Sequence, residues 1–420
     1  MVSIDLNYGN ESIKIEFKAS LFDVLAAPPG RRTLTDVEIG SKLDDPIGSG
    51  ALEDLVTAGD SVLIVVPDAT RAAAAGQIVN LVVRRLIANG TAPGEISIIF
   101  ATGIHRLVTE AEKASILTPF IAQRINLLDH NARNLAQLVR VGETSGGIPV
   151  EINRAAVEAD HVVLVCGVSF HYFAGFTGGR KLICPGLAST RTVSQTHQLA
   201  FDCSTLSRRT GVDTGLLAGN AVHEAFMEAV SFISPAFSIN SIVNDPGEPV
   251  DVICGDWREA HTAACKVYAG EHTVEITEKR EFVVVCCGGT PHDINMVQAH
   301  KAIDAASRAC VEGGIILLFA ECRDGLGRDD FLNWFQASNS RELAGSLCEK
   351  YQVNGQTAWN LFRLAETFDI RIVTDLSADD VTKMRLKQVS AGDAVEMIKA
   401  AQTSGFILPE GAKLKVKVTV

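Results

Sequence analysis

HVVLVCGVSFHYFAGFTGGRK, residues 161–181, opens as an unbroken apolar run rich in valine and then breaks into a loop carrying a histidine, glycines and two cations. A continuous apolar run of this length, bounded by a glycine-rich loop, reads as a strand buried on both faces. Two earlier segments share the grammar: SVLIVVPDATR at 61–71 and EISIIFATGIHR at 95–106. In each, the most reactive side chains stand immediately after the strand. Strands that alternate with helical stretches build parallel α/β sheets. Ligands of open α/β sheets bind beyond the carboxyl ends of the strands, so the three loops are expected to converge on one crevice.

Working outward, a second set of strand-like runs begins near residue 280: EFVVVCCGGTPHDIN at 281–295, GGIILLFAECRDGLG at 313–327 and IRIVTDLS at 370–377. The charged stretch from about 265 to 280 lacks a long apolar run and marks a junction. The expected architecture is two α/β domains with mainly parallel sheets and the active site in the cleft between them. The first domain is placed at 1–272 and the second at 275–397. The tail at about 400–420 ends in the alternating AKLKVKVTV and is expected to return to the first domain, since termini often lie close together.

The 420 residues are 47% hydrophobic and 21% charged, enough for more than one core and too apolar for disorder. A net charge of −12 speaks against general affinity for nucleic acid or an anionic membrane, so any anionic ligand must be held by local cations. None of the ten cysteines forms a CxxC pair, and several lie inside apolar runs, where a thiol behaves as a small hydrophobe. A reducing compartment suits them. The amino terminus, MVSIDLNYGNESIKIEF, alternates like an exposed strand and lacks the profile of a secretion signal, and no apolar run has the length to span a bilayer. The expectation is a soluble, cytoplasmic protein.

The richest chemistry lies in HYFAGFTGGRK. Gly178 and Gly179 would let backbone N–H groups approach a phosphate, with Arg180 or Lys181 as countercharge; the plain alternative is a tight turn flanked by surface cations. No GxxxxGK[ST] and no post-strand GxGxxG is present, which excludes a P-loop and argues against ordinary NAD binding. His105 and His171 both sit just past strands, where imidazoles serve acid–base chemistry, although either suits a structural role. Arg71 offers a two-point fork for a carboxylate or phosphate, while Asp68 or Thr70 suits the cap of the following helix, and both uses are compatible at one helix end. His197, on a helix opening near Thr190, has a metal-ligating nitrogen but no protein partners for a complete metal site. Gln298 and Lys301 lie three apart and share a helical face. At this level an NAD-linked dehydrogenase using His105 or His171 as its single base and a non-catalytic nucleotide- or anion-binding protein both stay open.

Taken together, DATR at 68–71, TGIHR at 102–106, HYFAGFTGGRK at 171–181, GNAVHE at 219–224 and DIN...Q..K across 293–301 resemble the nickel-dependent lactate racemase family, in the same order and over nearly the whole chain. The resemblance implies a cofactor of nickel and pyridinium-3,5-bisthiocarboxylic acid mononucleotide, the nickel pincer nucleotide, attached to Lys181. It implies His197 as the metal ligand, His105 and His171 as the proton-transfer pair, and Arg71, Gln298, Lys301 and Trp359 as substrate contacts. Asp68, Thr70, Gly178, Gly179 and Arg180 would join Lys181 around the cofactor, and separate maturation proteins would supply it. Val297 stands where the resemblance leads one to expect an aromatic residue, which implies a 2-hydroxy acid longer than lactate. The implied route is hydride transfer, which avoids a carbanion next to an ionised carboxylate and requires an anion clamp and two bases on opposite sides.

Overall fold

The structure, a computed structural model, describes residues 1–28, 30–69, 71–244 and 247–419. The chain folds as two compact units, the first made of Pro29–Ala200 and Thr210–Gly270, the second of Met1–Pro28, Phe201–Arg209 and Glu271–Val420.

In the first unit a six-stranded sheet runs in the order Pro249–Gly255, Phe237–Val243, His161–Gly167, Val62–Pro67, Ile96–Ala101, Asn126–Asp129. All neighbours are parallel except Pro249–Gly255, which is antiparallel to Phe237–Val243. The strands are valine- and isoleucine-rich because both faces are covered. Helix Ala75–Ala88 lays Ile78, Val79, Val82, Val83 and Leu86 on one face as a continuous apolar stripe. Val193 and Phe226, from helices Thr190–Gln198 and Ala221–Ser231, pack on the other. Chain order reverses between Val62–Pro67 and His161–Gly167: the two strands after the former go one way, and His161–Gly167 begins the other side. A crevice opens at such a reversal because the loops leaving the two central strands turn to opposite faces.

The second unit repeats the device. Its six strands run in the order Lys387–Gln388, Asp369–Val373, Cys310–Phe319, Arg280–Cys286, Gly405–Leu408, Phe22–Val24, all parallel, with the reversal between Arg280–Cys286 and Gly405–Leu408. The alternating amino terminus forms an antiparallel hairpin, Val2–Tyr8 with Glu11–Phe17, that buries Leu6 and Ile15.

Three expectations are corrected. Residues 1–28 belong to the second unit, because Phe22–Val24 extends its sheet and the Phe22 ring meets Phe282 edge-on at 5.6 Å. The tail stays in that unit too: Gly405–Leu408 pairs with Arg280–Cys286, and Lys415–Val418 runs parallel to Thr273–Ile276. Both were misplaced because strand pairing between distant segments leaves no local trace. Finally, the cysteines are not all solitary thiols. Cys203 and Cys348, 145 residues apart, form a disulfide with Cα atoms 5.7 Å apart, while the other eight are buried free thiols. Among the described residues no helix is long and apolar enough to cross a membrane.

Candidate active site at the strand ends of the first unit

The loops after Val62–Pro67, Ile96–Ala101 and His161–Gly167 do meet. Asp68, 7% exposed, accepts a hydrogen bond from Nδ1 of His105 at 2.7 Å and so joins the first two. Gly103 N–H donates to the Gly186 carbonyl at 2.8 Å, tying the second loop to the glycine segment. A Cβ on Gly167 would run into the Ala72 carbonyl, so glycine there lets the third loop close on the first. The expected cap is not formed by Asp68: the helix starts four residues beyond Arg71, at Ala75, with Ala74 as a cap that makes no side-chain hydrogen bond. The carboxylate holds His105 instead. Thr70 lies outside the described residues. Arg71 is half-buried, its N–H donating to the Asp68 carbonyl.

Beyond His161–Gly167 the chain makes a two-residue hairpin, Phe170–His171 with Gly175–Phe176, and then a short helical turn, Gly179–Leu182. Gly179 has φ +49°, and an added Cβ would stand 2.5 Å from the His261 ring. Its N–H donates to Cys166 Sγ at 2.9 Å, so this thiol is a loop anchor as well as filler. Arg180 departs from the expectation that it faces an anionic ligand. Its side chain is fully buried, donating to the Ala174 carbonyl at 2.7 Å and to His261 Nε2 at 3.0 Å. Burial lowers its pKa to about 10. Burial, reinforced by this cation, keeps His261 neutral. Arg180 therefore holds the loop from inside, and Lys181 is the cation that remains half-buried beside it.

Phe173 is the hub of the remaining side chains. Its ring meets the His171 imidazole edge-on at 4.4 Å and the His197 imidazole at 5.2 Å, and Lys181 Nζ lies 5.9 Å from its centroid. His197 is presented by helix Thr190–Gln198, whose first turn is capped by the Ser189 hydroxyl. Its Nδ1–H donates to the Val193 carbonyl at 2.8 Å, which leaves the lone pair on Nε2. Burial first, then the positive charge of Lys181, lowers the His197 pKa to about 3, with His105 adding to the effect. His171, 7% exposed, accepts at Nδ1 from the Ala174 N–H at 3.2 Å, so its neutral ring carries the proton on Nε2. Asn220 secures the assembly: its amide donates to the Phe173 carbonyl at 2.9 Å while its oxygen caps helix Ala221–Ser231.

His130 is structural, bonded to Asn153 and to the Ala188 carbonyl. In the second unit, Lys301 donates to Gln298 across one turn at 2.5 Å. Trp359, expected as a substrate contact, lies in that unit's core with 4% exposure, edge-on to Phe201 at 4.9 Å. Thus Asp68, Arg71, His105, His171, Gly178, Gly179, Arg180, Lys181 and His197 share the first unit, and Gln298, Lys301 and Trp359 belong to the second. Phe173, Asn220, Cys166 and His261 were missed, because a buried aromatic, a cap and a core thiol look alike in sequence wherever they occur.

The assembled groups are a carboxylate-buttressed imidazole, a second imidazole that donates, an amine, and a neutral imidazole held through Nδ1 to the Val193 carbonyl. Among the described residues no three His, Cys, Asp or Glu side chains are grouped to hold a metal ion, so a metal at His197 needs donors from elsewhere.

Comparison with known proteins bears on the same residues. The description "Lactate racemase N-terminal domain" matches residues 8–207, and "Lactate racemase C-terminal domain" matches residues 276–416. A lactate racemase of Lactiplantibacillus plantarum is 31% identical over 99% of this chain and 100% of its own length. One from Thermoanaerobacterium thermosaccharolyticum is 29% identical over 80% of this chain and 79% of its own. The solved lactate racemase apoprotein from the latter organism superposes with a TM-score of 0.90 at 26% identity, covering 99% of this chain and 100% of that one. A Thermotoga maritima structure shares the fold, with a TM-score of 0.72 at 19% identity over 92% of this chain and 99% of that one.

Proposed function

The chain belongs to the lactate racemase family and is an isomerase of the racemase type, and from that premise we propose that it inverts a 2-hydroxy acid by proton-coupled hydride transfer at the crevice of the first unit. The observation that carries this reading is the grouping of His171, Lys181 and His197 around Phe173, with the Asp68–His105 pair on the adjoining loop.

Lys181 and His197 suit the family's nickel pincer nucleotide: an amine for attachment beside an imidazole that is neutral and correctly tautomeric for a metal. When bound, that group supplies the hydride acceptor. Arg180 does not suit its phosphate, being buried and bonded within the loop, and the Gly179 N–H is taken by Cys166 Sγ, so the phosphate falls to Lys181's neighbourhood.

The chain's own residues then manage the protons. Asp68 holds the Nδ1–H of His105, so Nε2 is a lone pair ready to take the substrate hydroxyl proton, and the carboxylate stabilises the imidazolium that forms. His171 meets the opposite face with Nε2–H and hydrogen-bonds the substrate oxygen as a donor; to act as base it must first release the Ala174 N–H. The two bases are therefore unequal at rest. Because the enantiomers are isoenergetic, kcat/KM is the same in both directions, and the inequality is read in kcat and KM separately, with different pH profiles for the two enantiomers. Arg71 is the carboxylate clamp on this unit. The working place is the cytoplasm, with partner proteins that mature the cofactor.

The test is intact-mass analysis of the chain co-expressed with the cofactor pathway, together with assays on a panel of 2-hydroxy acids without added NAD. We expect an adduct on Lys181 that is lost in Lys181→Ala, and turnover that falls at least about 10³-fold in His105→Ala and His171→Ala. Turnover that requires added NAD, or a loaded enzyme with no Lys181 adduct, overturns the proposal.

A further inference from the structure

Sulfur on this chain occurs in two environments. Eight cysteines are buried, and for Cys166, Cys184, Cys254, Cys265, Cys286, Cys310 and Cys322 burial pushes the thiol up to about 12, which makes them poor nucleophiles at neutral pH. Cys203 and Cys348 differ: they are paired, Cys203 is exposed and Cys348 is half-exposed at the end of helix Ser340–Glu349.

The pair also sits at an unusual point in the chain. Phe201–Arg209 is a nine-residue segment of the second unit with first-unit sequence on both sides, and it starts three residues after the helix that carries His197. It folds as a small hairpin, with Phe201 opposite Arg208 and Asp202 opposite Ser207. Its base is fixed twice: Phe201 packs edge-on against Trp359, and Arg208 donates to Asp304 and Asn360, both at 3.1 Å. At the turn, Asp202 caps the Ser204 N–H. Cys203 occupies that turn and links it covalently to helix Ser340–Glu349 of the same unit.

We propose that Cys203 and Cys348 form a redox-modifiable dithiol–disulfide pair that fastens and releases the tip of this crossing hairpin, the base staying anchored through Phe201 and Arg208. An exposed disulfide exchanges readily with small thiols, and in a reducing compartment its state follows the surrounding poise. In the reductive direction a dithiol protein of the thioredoxin class attacks the exposed Cys203 sulfur and expels the Cys348 thiolate. Its second thiol then resolves the mixed disulfide; two electrons and two protons pass to the chain, which leaves with two thiols, and the reductant leaves as a disulfide. In the oxidative direction glutathione disulfide accepts the same two electrons and leaves as two glutathione thiols.

The test equilibrates the full-length protein in glutathione buffers from reducing to oxidising, followed by native alkylation with iodoacetamide, peptide mapping and thermal unfolding. The expected result is a cross-linked Cys203–Cys348 peptide that converts to two alkylated peptides over a defined range of glutathione ratio, the eight buried cysteines staying unmodified. Tm should fall by about 5 °C on reduction, because the link closes a long loop of the unfolded chain. Cys203→Ser and Cys348→Ser should each match the reduced wild type and no longer respond to the buffer. Absence of the cross-linked peptide under oxidising conditions overturns the proposal, as does a cross-link that persists at every ratio or a serine variant that still responds.

Discussion

The two units carry the same topological device and use it oppositely. In the first, the loops at the sheet reversal hold an Asp68–His105 pair, a glycine turn and a lysine. In the second, the corresponding loop grips the chain's own amino-terminal hairpin: Gly9 N–H donates to Asp293 at 2.7 Å, Thr290 N–H donates to the Gly9 carbonyl at 2.9 Å, and Cys286 Sγ–H donates to the Asn7 carbonyl at 2.8 Å. Strand order marks where a ligand can enter an α/β sheet, while the loop side chains decide whether that place works or is filled. Gly289 shows how tightly it is filled, since an added Cβ would lie 2.8 Å from the Gly9 carbonyl oxygen.

The largest test of this contrast exchanges one buried carboxylate in each crevice. Asp68→Asn should lower kcat of the loaded enzyme by about 10²- to 10³-fold, by removing the charge that stabilises the His105 imidazolium, and leave Tm within a few degrees. Asp293→Asn should do the reverse, costing about 1–3 kcal/mol in denaturant unfolding with kcat unchanged. Equal effects on kcat would abolish the distinction.

Acid should separate the units next. His130 at about 4, His197 at about 3 and the deeply lowered His261 all belong to the first unit, whereas His300 at about 4 is the buried counterpart in the second. Burial is the leading cause in each. These folded pKa values lie below the unfolded one, so below pH ~6.5 the unfolded chain binds protons that the fold refuses. Stability is intact above that pH and declines as pH falls toward about 4, by about 2 kcal/mol per imidazole at pH 5. In the second unit burial raises the Glu410 carboxyl, a contribution of opposite sign that is kept in acid and lost as pH rises through the raised value. Hydrogen exchange at pH 7 and pH 5 should show the first unit opening first; simultaneous opening would refute the assignment.

A smaller effect is expected from Gly289→Ala, about 3 kcal/mol from strain at φ +76° and the clash with Gly9, seen as faster exchange across residues 2–17 without loss of racemisation. The smallest is Asn220→Ala, about 1 kcal/mol from the lost cap, accompanied by a rise in KM as the Phe173 loop loosens.

Much of this was legible in the residues. Continuous runs such as VLIVV at 62–66 and VVLVC at 162–166 announce strands, because β-branched side chains stiffen an extended backbone and the run length follows from burial on two faces. The placement of His105, His171 and Lys181 just past such runs locates the crevice from the residues alone, since a strand's end is a local property. What the tertiary structure alone decided were pairings and directions. Asp68 serves His105 and not a helix end, and Arg180 turns inward while Lys181 stays half-buried. Phe22–Val24 extends a sheet whose other strands come hundreds of residues later, and Cys203 finds Cys348 across 145 residues. Periodicity encodes which residues are apolar and where the chain turns; it does not encode which distant segment supplies the other half of a hydrogen bond, an ion pair or a disulfide, because that is set by packing of the whole chain.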